Sequence, residues 1–243
     1  MTWFNGRLAG FDLETTGVDI EADRIVTACV VQCGGGHDTQ SFNWLADPGV
    51  EIPKAASDIH KVTTERARAE GRPAAEVVEQ VVAALAESVV AGLPVVAMNA
   101  SFDLTILDRE ARRHGVQPLV DIVGDDLRVI DPRVLDKKID PRRRGGRKLE
   151  DLCRTYQVAL DGAHSADADA IAVCRVAWRI GQKESAIGGA ELGFLHGKQV
   201  DWARQQAESL ADYFRRTPGK ESWADGVRTE WPLVPAPRGG EAS

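Results

Sequence analysis

Three β-rich segments follow one another before the first strong helix, and that order constrains the fold more than any other feature. "RLAGFDLET" opens the series, "DRIVTACVVQC" is rich in Val and Ile, and "TQSFNWLA" follows the turn-forming "GGGHD". Antiparallel pairing of the three is the economical arrangement. "DPGVEIPKAASDIHKVT" then reads as loop with short turns. "RPAAEVVEQVVAALAESVVAG" is a strong amphipathic helix, with Pro73 in its first turn, Gly92 at its end, and Val77, Val78, Val81, Val82, Leu85 and Val89 as its buried stripe. "PVVAMN" is a short buried strand, "SFDLTILDREARRHG" a helix stopping at Gly115, and "LRVIDP" another strand. "RKLEDLCRTYQV" and "SADADAIAVCRVAWRI" are two further helices. Three strands followed by alternation predict an α/β fold with a mixed five-stranded sheet flanked by helices. After Gly181 the character changes. Residues 1–181 read as one core domain and 182–243 as a helical appendage with a tail whose last residues are expected to be disordered. The aromatic residues Phe194, Trp202, Phe214, Trp223 and Trp231 of the appendage are expected to dock on the core; a dimer interface or base stacking are the alternatives.

With 43% hydrophobic and 28% charged residues, the 243-residue chain has the composition of a globular protein. No stretch approaches the ~20 apolar residues of a membrane helix. "MTWFNGRLAG" shows no signal-peptide pattern, and the four scattered cysteines lack paired metal-ligand spacing, so free thiols in a cytoplasmic protein are expected. The net charge of −7 argues against a general nucleic-acid binder. Local distribution qualifies that: "KKIDPRRRGGRK", residues 137–148, concentrates basic side chains. Arg142, Arg143 and Arg144 could hold the phosphates of a single strand; the alternative is a solvated loop that balances nearby acid.

The first strand carries acids where none is needed for folding. Side chains at i and i+2 share a face, so Asp12 and Glu14 reach a common point beside Leu8 and Gly10. Their repulsion and burial are both relieved by a divalent cation, and hard oxygen ligands suit Mg²⁺ or Mn²⁺. Asp103 lies in the first turn of a helix directly after a buried strand, where α/β sheets collect ligands; favouring the helix N-terminus is its structural alternative. In "HSADADAIA", Ser165 reads as an N-cap, and Asp169 falls on an otherwise small, apolar helix face with Ala166, Ala170 and Val173. Asp167 turns away, and His164 precedes the helix where it could reach the same centre as Asp169.

Together "FDLETTG", "NASFDL" and "HSADADA" resemble the three motifs of the DnaQ-like 3′–5′ exonucleases of the DEDDh group, over about residues 7 to 180. The first matches D-x-E-T-T-G. The second matches N-x-x-F-D through Asn99, Phe102 and Asp103, and the third H-x-A-x-x-D-A through His164, Ala166, Asp169 and Ala170. The resemblance implies a ribonuclease-H-like fold and a pair of divalent cations, Mg²⁺ or Mn²⁺, held by Asp12, Glu14, Asp103 and Asp169. It implies His164 as the general base toward the attacking water, and nucleoside 5′-monophosphates as products. A cation pair roughly 4 Å apart suits in-line displacement at phosphorus. "SDIHKVT" resembles the family's I-H-G-I-T loop, which makes His60 and Val62 candidate substrate contacts, with Leu13, Thr15 and Phe102 near the terminal sugar and base. Val62 and Phe102 are core residues on the blander view. Lys61 stands where the family has Gly, and Met98 where many members have His.

The expected function is a metal-dependent 3′–5′ exonuclease on single-stranded DNA ends, in proofreading or repair. RNA or short oligoribonucleotides are the alternative substrate. A non-catalytic polymerase-associated subunit is the alternative class, and retention of all five motif residues argues against it. Expected partners are a single-stranded nucleic acid with a free 3′ end and a DNA polymerase, with no membrane, as monomer or homodimer. A dehalogenase-type phosphatase is disfavoured because Glu14 stands where a second Asp is needed.

Overall fold

The structure is a computed structural model that describes residues 2–160 and 166–236. Its first three strands are β1 (Arg7–Thr15), β2 (Ile25–Gly34) and β3 (His37–Asp47), paired antiparallel in succession. Gly35 and Gly36 join β2 to β3 with φ of 64° and 76°, which a two-residue hairpin turn of this hand requires at both positions. The sheet continues through β5 (Val95–Val96) and β6 (Val129–Ile130), both parallel to β1. It has six strands rather than the expected five, in the order β4-β3-β2-β1-β5-β6. The extra member, β4 (Arg72–Pro73), is a two-residue parallel pairing on the end of β3; a proline at an edge needs no ladder donor.

Helices α3 (Ala74–Val90), α4 (Ala100–His114) and α5 (Leu119–Val123) cover the sheet face carrying Phe11, Leu13, Val30 and Val95. The opposite face, with Leu8, Val96 and Ile130, packs on α6 (Pro132–Ile139), α7 (Leu149–Tyr156) and α8 (Ala166–Lys183). Full burial of side chains such as Phe11, Leu85, Ile106 and Ile180 stabilises by roughly 1.5–3 kcal/mol each. The expected stripe of α3 and the Gly115 stop of α4, at φ 68°, are both present.

The segment read as loop before α3 instead holds α1 (Lys54–His60) and α2 (Thr64–Glu70). The Thr63 hydroxyl accepts the Arg66 amide and starts α2, a capping signal that short length concealed. Helix α6 was also unanticipated. Asp131 caps it and Pro132 fills its first position, so the dipeptide itself was the available signal. Beyond α8 come α9 (Ser185–Gly188) and the 25-residue α10 (Leu192–Arg216). Docking of the appendage is divided. Leu195, Gln199 and Trp231 are buried and Trp202 packs against both main clusters, whereas Phe194 and Trp223 stay exposed. No helix among the described residues is long and apolar enough to cross a membrane.

Candidate active site

Gly10 sets the geometry of the carboxylates. A Cβ at this position would stand 2.5 Å from the Ala170 carbonyl oxygen and 2.8 Å from Cys174 Sγ, so β1 and α8 touch backbone to side only because it is glycine. That contact falls one residue past Asp169 on α8 and one pleat before Asp12 on β1. The sheet face of Asp12 and Glu14 is therefore pressed against the helix turn of Asp169. Carboxylate oxygens of these three residues lie within 4.8 Å of one another.

Asp103 is brought to the same place from the other side of the sheet. Asn99 adopts φ 60° and ψ 47°, a left-handed conformation that asparagine tolerates, and turns the chain from β5 into α4. Asp103 Oδ1 then accepts the Leu13 amide at 3.1 Å, between Asp12 and Glu14 in sequence. Its carboxylate stands beside Asp12 but outside the close group of three. Of the five expected catalytic residues, four acids thus converge; His164, like the Ser165 cap, lies outside the described residues.

Among the described residues no lysine or arginine pairs with Asp12, Glu14 or Asp103. Burial pushes the Asp12 carboxyl well up, and Asp103, Glu14 and Asp169 push it further. Glu14 is pushed up to about 7 by burial and then by Asp169. Burial also raises Asp103, against the amides of Leu13 and its own helix turn, with Asp131 and Glu14 adding to the rise. Carboxyls crowded this way hold protons until cations replace them. The donor set is all hard oxygen, which fits a divalent ion such as Mg²⁺ or Mn²⁺ rather than a thiolate-seeking metal.

The expected substrate contacts divide. His60 is buried at the end of α1 next to the Thr15 backbone; its Nδ1 accepts the Val62 amide at 3.2 Å, and burial lowers its pKa, leaving a neutral ring. Lys61 then adopts φ 62°, so the position where the family has glycine keeps its left-handed conformation despite the side chain. Thr15 donates its hydroxyl to the Gly17 carbonyl at 2.6 Å. Leu13 and Val62 point into core clusters, Val62 among Val26, Ile52, Ala56 and Ala67. Phe102 packs partly on the core and remains half-exposed. The basic segment behaves differently from a free loop. Its first residues belong to α6, and Arg143 turns inward to Asp136 Oδ2 at 2.8 Å, as does Arg147. Arg143 thus holds an internal ion pair, whereas Arg142 and Arg144 are exposed.

Sequence reasoning missed Asp131. Its carboxylate is 1% exposed and accepts the amides of Asn99, Ala100 and Arg133 at 3.2, 3.0 and 2.9 Å. Its own amide donates to Gln199 of α10 at 2.8 Å, and the Trp231 indole donates to it at 3.4 Å. One side chain thereby ties the start of α4, which carries Asp103, to α6 and to the appendage. Burial raises its pKa against those amides.

Residues 9–177 match the family model described as exonuclease, RNase_T. The chain belongs to the DnaQ-like 3′–5′ exonuclease family. It is 30% identical over 176 residues to a PolC-type DNA polymerase III of Lacticaseibacillus paracasei, covering 72% of this chain and 11% of that protein. A PolC-type DNA polymerase III of Latilactobacillus sakei is 27% identical over 176 residues, with the same 72% and 11% coverage. The chain therefore spans about a tenth of the length of these relatives. E. coli exonuclease I in complex with a dT13 oligonucleotide superposes with a TM-score of 0.62 at 15% identity, over 84% of this chain and 46% of that one. Exonuclease I of Methylocaldum szegediense gives 0.61 at 19% identity, over 85% and 45%. These structures share the fold: a mixed sheet with helices on both faces. In this family member, the motif acids stand on β1, α4 and α8 of that fold.

Proposed function

We propose that this chain is a metal-dependent 3′–5′ exonuclease that removes nucleoside 5′-monophosphates from single-stranded DNA ends. The observation that carries the reading is the close approach of Asp12, Glu14 and Asp169, with Asp103 beside them and, among the described residues, no lysine or arginine pairing with Asp12, Glu14 or Asp103. Two divalent cations held by these four carboxylates would supply charge stabilisation at the scissile phosphate and an acidic water. The chain's own residues do the rest. The Leu13 amide fixes the rotamer of Asp103, and Gly10 fixes the depth of Asp169 relative to Asp12. His60 lies beside the Thr15 backbone at the end of β1, where the terminal nucleotide would lie, and Phe102 immediately precedes Asp103 on α4. His164 takes the proton of the attacking water, a role worth about a hundredfold to ten-thousandfold.

DNA is favoured over RNA because exonuclease I neighbours are held on DNA oligonucleotides and the similar relatives are DNA polymerases. The same likeness makes proofreading or repair beside a polymerase the reading for the cell. RNA remains the alternative substrate. The test is direct: purified protein, Mn²⁺ or Mg²⁺, and 3′- or 5′-labelled single strands of DNA and RNA, with products resolved by length. Stepwise shortening from the 3′ end, abolished by EDTA and by Asp12→Asn, is expected. Faster RNA loss would reassign the substrate. No hydrolysis of either strand would leave the non-catalytic subunit as the better account.

A further inference from the structure

A polar groove that reaches the start of α4 is built largely by the appendage. It has a volume of about 520 Å³ and lies between α6, α10 and the chain around Trp223 to Trp231. Asn99 and Ser101 line one end of it, and Asp103 follows on the next stretch of the same helix. Strands β1, β5 and β6 are parallel; β5 and β6 end level with Gly10, and β1 runs on past them through Asp12 and Glu14 to Thr15. The groove begins after β6, whose Ile130 lies two strand spacings, or about 10 Å, across the sheet from Gly10 of β1.

Arg109, Arg112, Arg113, Arg143 and Arg147 all pair with acids of the chain. In the groove, Lys137 is half-buried and Arg228 exposed, and among the described residues neither has a hydrogen bond or ion pair. Burial lowers the Lys137 pKa, and Arg133 and Arg147 lower it further, so its neighbours worsen the shortage of anions. Arg133 donates to Asn99 Oδ1 at 2.6 Å. The opposing acids are the exposed Glu230 and the buried Asp131, whose oxygens are already taken by amides. Trp223, 55% exposed, lines the same groove with its ring set edge-on to Phe214 at 5.5 Å. In a chain of net charge −7, an excess of unpaired cations beside an exposed indole and a nuclease-like centre calls for a polyanion with flat bases.

We propose that this groove holds the single strand upstream of the scissile end, with Lys137 and Arg228 on its phosphates and Trp223 against a base. The proposal rests on the exonuclease reading for the polarity of the strand. The nucleic acid comes from its cations and aromatic ring, whereas an acidic peptide would use the cations alone. The appendage is then a substrate-holding element, and the enzyme should prefer strands long enough to reach it.

The test is a binding measurement that needs no turnover. Labelled dT oligomers of 3 and 15 nucleotides are titrated by fluorescence anisotropy into the full chain in Ca²⁺, over a range of salt. Lys137→Gln with Arg228→Gln should weaken the 15-mer at least tenfold and leave the 3-mer unchanged. The log–log salt slope should become shallower by roughly 0.7 for each cation removed. Trp223→Leu should weaken the 15-mer with the slope unchanged. Glu230→Gln should tighten the 15-mer, a direction that mere loss of fold would not produce, and thermal melts of each variant check folding. Equal affinity of the glutamine pair and the wild type for the 15-mer would overturn the proposal. So would displacement of the 15-mer by polyglutamate of equal charge at equal concentration. If wild type binds the 15-mer through these residues yet degrades no strand, the groove stands and the exonuclease reading falls.

Discussion

Asp136 and the pair Asp12 and Glu14 are both acids on the inner elements of the fold, but among the described residues Asp136 receives arginines and Asp12 and Glu14 receive no lysine or arginine. Arg143 and Arg147 each reach it at 2.8 Å, and the Tyr156 hydroxyl donates to it at 3.0 Å. Asp12 and Glu14 face Asp169 and Asp103 instead, and their pKa values rise together. A buried acid that is paired and hydrogen-bonded is a structural element, and its loss strands its partners. A buried acid crowded by other acids destabilises the empty fold, so its presence points to a ligand that is itself a cation. Asp136 is the more deeply buried, at 1% exposed, yet the carboxyls of Asp12 and Glu14 are pushed up. The sign of the neighbouring charge tells the two apart.

The difference can be broken first at activity. Asp12→Asn should lower exonuclease turnover on the order of a thousandfold or more while the melting temperature holds or rises. A clear fall in melting temperature would mean that Asp12 is structural after all. Gly10→Ala should lower turnover and stability together, because the added methyl forces α8 and Asp169 away from β1; unchanged kinetics would remove that contact from the account. Asp136→Asn is the converse of Asp12→Asn. It should cost about 3 kcal/mol of stability, or ~6–12 °C in melting temperature at this size, with turnover per folded molecule retained.

Acidity sharpens the comparison. Glu14 titrates from an ordinary value of 4.5 in the unfolded chain to about 7 in the fold. Below pH 4.5 both states keep the proton. Between pH 4.5 and about 7 the unfolded chain releases a proton that the fold retains, so stability falls as pH rises, and the loss is complete above that range. Asp12 and Asp103 act with the same sign. Chelated protein should therefore melt lower at pH 8 than at pH 5, and Mn²⁺ should remove most of the difference; flat melts across that range would deny the crowding. The smallest effect is at the α1 end. Lys61→Gly should stabilise by about 1 kcal/mol by relieving a left-handed residue, seen as a shifted urea midpoint.

Much of the candidate site was legible because its signals are local. Asp12 and Glu14 share a strand face by the pleat, Asp103 opens a helix after a strand, and Asp169 interrupts an apolar helix face. The three β-rich segments paired as their order implies. The short helices α1, α2 and α6 were not legible, because helices of seven or eight residues carry too few turns for periodicity and show only in their caps. Nor was the hub at Asp131, whose partners Gln199 and Trp231 come 68 and 100 residues later.

The sequence by itself determined the family, the alternation of strand and helix, and which acids carry the motifs, since each is written in the chemistry and spacing of neighbouring residues. Tertiary structure alone decided which of three successive arginines is neutralised, and that Lys137 and Arg228 line one groove. Charge is a property of composition, but whether a charge is satisfied depends on what the fold brings within a few ångströms of it.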